Sequence, residues 1–264
     1  MKLSRVLLVL ALPFSVVSMF LMVVACSTAY QPNVSNYFER TSPRPVLSVI
    51  FVCLAIAVGI AAAIVARYRN EPFSTPATPS FALLPAAIGT LASAILLFIA
   101  GKALNGILFF VEALFFALLI CPFVKNYAAY AIWGGFAAIA AQVVLISTYY
   151  FDMTVEMNAP VKVLLQMGLL AAMLDCTAEI RILIGRSHAL LTPILTVFAF
   201  VICLLSGFSA LALTLDGKMP SMVYIAAMPA LIGFATTAGY RLMQILNPFF
   251  SVSPIEHEKE EDAE

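Results

Sequence analysis

The residue most out of place in this chain is Glu112, in the stretch LFFVEALFF at 108–116. An acidic side chain at the centre of an apolar helix costs about 2.5–3.5 kcal/mol on insertion scales. Residues of this kind turn toward a bundle interior or a watery cavity, and they mark proton and ion pathways. Counted along a helix, Glu112 stands about 15 Å from Lys102 and about 20 Å from Lys125, which is near the middle of a bilayer. No lysine or arginine is expected at that depth in any span. Two tasks fit such a carboxyl: a hydrogen bond to a neighbouring helix, or a relay for a proton or ion. Asn105, two turns along the same helix, and Gln142 in another apolar run are the polar residues that could share the site. As a neutral amide, Gln142 also suits a simple bond between helices.

A second group lies in LDCTAEIRILIGRSH, residues 174–188. At 100° per residue, Asp175, Glu179 and Arg186 fall within about 40° of one another, with Gly168 and Ala172 extending the stripe. The spacing suggests a polar groove opening at the cytoplasmic end, its carboxylates offering oxygens to a cation or a basic solute. The competing expectation places Glu179 at the membrane interface and Asp175 only slightly below it, because Pro160 to Glu179 already rises about 28 Å.

Other chemistry is thinly represented. The five cysteines fall within or beside apolar runs, form no CxxC pair and have no histidine close by, so a metal or redox framework is not expected. VVAC, ending at Cys26, is similar to a lipoprotein lipobox and makes Cys26 a candidate for lipidation; the apolar run before it is longer than a usual signal segment. There is no HExxH, GxSxG or glycine-rich phosphate loop, so neither an enzyme nor a cofactor is indicated.

The elements that position these residues follow from composition. Of 264 residues, 63% are apolar and 11% charged, and the mean hydropathy is +1.03. A soluble domain covers its surface with about 25% charged residues. This chain cannot, so its outer surface must face lipid. The net charge is zero, which excludes a nucleic-acid partner. Eight apolar runs of spanning length occur near 6–26, 46–66, 81–100, 104–123, 127–148, 160–185, 189–213 and 224–246. The fold class expected is all-α, a polytopic membrane bundle of about eight helices in one domain (1–250), with an acidic disordered cytoplasmic tail at 251–264. Small-residue stripes (Ala55, Gly59, Ala63; Pro85, Gly89, Ser93; Ala131, Gly135, Ala138; Gly168, Ala172) predict close helix approach. Nine basic residues fall on the side holding both termini and five on the other, which predicts cytoplasmic termini in the cell membrane. No repeat relates the first four spans to the last four.

Two function classes fit. One is a small permease or ion-coupled carrier acting on a small solute or ion through Glu112. The other is a non-transporting assembly or sensor component that packs against a membrane partner or a second copy of itself.

Overall fold

The computed structural model describes residues 2–31, 37–69, 73, 76, 80–121, 127–185 and 190–247. Its elements are α1 (Leu3–Ala29), β1 (Tyr30–Gln31), β2 (Tyr37–Phe38), α2 (Arg44–Tyr68), a 3-10 turn (Phe81–Leu83), α3 (Leu84–Ile99), α4 (Ala103–Ile120), α5 (Tyr127–Tyr150), α6 (Pro160–Leu183), α7 (Leu191–Leu215) and α8 (Met222–Leu246). All eight α-helices, α3 counted with the 3-10 turn before it, are long and apolar enough to cross a membrane. The fold is therefore an all-α helical bundle, and the chain is a multi-pass membrane protein.

Local sequence sets several helix ends. Proline occupies the first turn of α2, α3 and α6, where its missing N–H would have had no partner anyway. The fourth span was expected to reach residue 123, but α4 stops at Ile120. Cys121 takes an extended backbone because the proline that follows disfavours helical dihedrals in the residue before it. Between α1 and α2 lies a two-residue antiparallel ladder pairing Tyr30 with Phe38 and Gln31 with Tyr37. It is too short to show as an alternating sequence pattern.

Helices α3 to α8 form a closed ring in chain order, each against its successor and α8 against α3. Helix α6 also touches α8 across the ring. The α1–α2 pair stands outside and packs on α7. Ser18 and Ser48 join α1 to α2, each hydroxyl donating to the other residue's carbonyl at 3.0 and 2.9 Å. One end of the bundle carries the start of α1 and the finish of α8 and is called the terminal end. The other carries the α1–α2, α3–α4, α5–α6 and α7–α8 connections and is called the distal end. There, the Lys218 ammonium after α7 donates to the Cys26 carbonyl of α1 at 3.1 Å.

The closing α3–α8 contact has a local two-fold pattern. Pro85-Ala-Ala-Ile-Gly89 in α3 faces Pro229-Ala-Leu-Ile-Gly233 in α8. A Cβ built on Gly89 would lie 2.4 Å from the Pro229 carbonyl oxygen, and one on Gly233 would lie 2.4 Å from that of Pro85. Only glycine allows the two backbones this close. Each helix also satisfies a backbone donor of the other: Ala86 N–H donates to the Thr237 hydroxyl at 3.1 Å, and Ala230 N–H to the Ser93 hydroxyl at 2.9 Å. These are the N–H groups just after the two prolines, where the helical ladder is incomplete. The other small-residue stripes also mark close crossings: Gly59 meets Val197, Gly135 meets Ile180, and Gly168 meets Ser206.

Candidate functional site

Helix α4 presents Glu112 to the ring interior, and α5 presents Gln142 opposite it. Both are 0% exposed. The Gln142 amide nitrogen donates to Glu112 Oε2 at 2.7 Å. Buried Phe109, Phe115 and Phe116 surround the carboxyl on its own helix, and Phe116 meets Phe234 of α8 edge-on at 5.4 Å. Glu112 Oε1 and Gln142 Oε1 have no hydrogen-bond partner among the described residues. Two of the pair's three oxygens are thus buried without a donor, which is costly.

Asn105 is not part of this pair. It lies seven residues nearer the distal end, about 10 Å along the helix, and lines a cleft of about 690 Å³ there. The cleft is walled by the start of α4, the end of α5 with the loop that follows, and the start of α8. Lys102, Thr148, Asp152 and Ser221 also line it. Tyr149 of α5, seven residues from Gln142, reaches the same cleft. Its ring meets Tyr224 edge-on at 5.5 Å, and its hydroxyl donates to the Val223 carbonyl at 3.1 Å. The tyrosine pair therefore lies between the cleft and the Glu112–Gln142 pair.

Toward the terminal end, α6 buries both Asp175 and Glu179, each 1% exposed. Glu179 is gripped bidentately by Arg241 of α8, with Nε donating to Oε1 at 2.7 Å and Nη2 to Oε2. The third Arg241 nitrogen, Nη1, donates to Gln244 Oε1 at 2.8 Å, and Gln244 donates to the Ser80 hydroxyl at 3.2 Å. Asp175 Oδ2 has no partner among the described residues. Arg186, expected to share this stripe, lies outside the described residues. Cys176, next to Asp175 on α6, is fully buried. Cys26 is buried within α1 beside Ser209 of α7.

Sequence reasoning missed Arg241, which entered only as one of the nine basic residues counted for orientation. A usable signal was present: Glu179 and Arg241 stand four and five residues from the ends of their helices, at the same end of the bundle. Like-depth opposite charges in an apolar bundle are expected to find one another. Tyr149 was likewise not among the residues singled out from the sequence. No family model, curated protein or solved structure matches this chain.

Proposed function

We infer that this protein is a small ion-coupled carrier in which Glu112 holds an exchangeable proton. The observation that carries the reading is the donor–acceptor imbalance at the buried Glu112–Gln142 pair. A proton on Glu112 supplies the missing donor, and its loss leaves a charge that needs a cation or water in its place. The site has a cleft on its distal side and the Asp175–Glu179–Arg241 group on its terminal side, so groups able to pass a proton lie on both flanks. The basic-residue bias favours a cytoplasmic terminal end; in that orientation the cleft opens outward and the Asp175–Glu179 stripe stands at the inner mouth.

A second reading has its own support. Gln142 already satisfies one oxygen of Glu112, and aromatic rings enclose the pair. A structural bond inside a non-transporting membrane component would be built the same way. The readings part at Glu112→Gln, which keeps shape and neutrality. Difference infrared spectroscopy of the reconstituted protein is expected to show a carboxyl band that changes with pH and is missing in Glu112→Gln. Proton flux into vesicles is expected to vanish in the same variant while its unfolding midpoint stays near wild type. Unchanged flux, or a Glu112 band insensitive to pH, selects the structural reading.

A further inference from the structure

The distal cleft offers more than access to Glu112. Lys102, at the mouth, is exposed, and its ammonium makes no ion pair or hydrogen bond among the described residues. It stands at the N-terminus of α4, and Ser221 stands at that of α8; neither helix has a side-chain cap. Both helix starts line the cleft, so backbone N–H groups and an ammonium share one concavity. Such groups favour a carboxylate or another anion.

Across the cleft stands Asp152. Its Oδ1 accepts from the Thr154 N–H at 3.0 Å and the Thr154 hydroxyl at 2.7 Å, which fixes the side chain and leaves Oδ2 for another partner. Burial alone would raise this carboxyl, but the Thr154 bonds, with Tyr224 and Lys162 nearby, outweigh it and hold Asp152 below the usual aspartate range. It therefore stays ionised at neutral pH. The buried Tyr224 hydroxyl stands close enough to Asp152 to act on it. Lys162 acts on Asp152 only at a distance: its ammonium donates to the backbone carbonyls of Asp152 at 2.6 Å and Val155 at 3.4 Å, and it does not line the cleft.

The cleft thus holds one unpaired cation with two open helix starts, and one fixed carboxylate. Its volume of about 690 Å³ lies in the range of small-molecule sites. We propose that it binds a small zwitterion of the α-amino-acid class, the solute's carboxylate at Lys102 and its ammonium at Asp152. A simple organic anion would leave Asp152 facing like charge, and a simple amine would leave Lys102 doing so. This assignment rests on the carrier reading for its purpose, but binding can be measured without transport.

The test is calorimetric titration of the full chain in nanodiscs with L-alanine, L-lactate and ethylamine. Lactate replaces the ammonium by a hydroxyl, and ethylamine lacks the carboxylate. Alanine is expected to bind at least tenfold more tightly than either. Lys102→Met and Asp152→Asn are each expected to weaken alanine at least tenfold; asparagine keeps the acceptor that Thr154 uses, so the loop is preserved. Glu112→Gln is expected to retain alanine binding even where proton flux is lost, which separates failure of the cleft from failure of the carrier. Absent alanine binding, equal binding of lactate or ethylamine, or binding unchanged in both cleft variants overturns the proposal.

Discussion

Among the described residues, Arg241 is the bulkiest side chain that the bundle buries completely. Its charge is tolerated because Glu179 meets it with both oxygens and Gln244 takes a further donor. Breaking a buried pair on one side is worse than removing both partners, since the survivor is left as an uncompensated charge. Arg241→Met is therefore expected to destabilise the protein by about 3–5 kcal/mol. The double variant with Glu179→Gln is expected to recover part of that loss. Unfolding midpoints in detergent measure both, and a double variant no more stable than Arg241→Met would refute the pairing. The contrast with Glu112 shows what was legible at this scale. Glu112 and Gln142 could be flagged because each is a lone polar residue deep in an apolar run. Arg241 was harder to flag, because a basic residue near a helix end is also what an interface anchor looks like, and only a carboxylate at the same depth, here Glu179, tells the two apart.

The elements were legible where local chemistry decides them and less so where a neighbour does. Proline marked the starts of α2, α3 and α6, and the small-residue stripes marked close crossings. What the stripes could not supply was a partner, since in lipid any small face can receive any helix. The α3–α8 match became evident only from the reciprocal placement of Pro85, Gly89 and Ser93 against Pro229, Gly233 and Thr237. Gly89→Ala forces its methyl against the Pro229 backbone and is expected to cost at least about 1–3 kcal/mol. Gly134→Ala is the contrasting case. Its Cβ would find Leu118 at 3.6 Å, an ordinary contact, and alanine is the better helix former by about 0.8–1 kcal/mol. Thermal unfolding of the two variants is expected to move in opposite directions, and similar shifts would mean that the seam yields.

For the whole molecule, eight helices and the lipid-facing character followed from composition and run length. The ring with an external α1–α2 pair did not, because consecutive spans look alike whether they close or lie in a row. Orientation remains testable through the loops. Reporter fusions after Arg69 are expected to report cytoplasm, and fusions after Lys102 and Lys218 the outside. The opposite pattern would invert the assignment of the cleft. Closure also has a consequence for how the protein is made. The two bonds of the α3–α8 seam join residues 151 and 137 positions apart in sequence. At a synthesis rate of about 5–20 residues per second, α3 waits roughly 7–30 s in the membrane for its partner. Throughout that interval its glycine groove faces lipid, and the α8 donor that Ser93 receives has not yet been made. Helix α8 is thus the one that shuts the ring, and a nascent chain halted before Thr237 would be an open strip of helices rather than a smaller bundle.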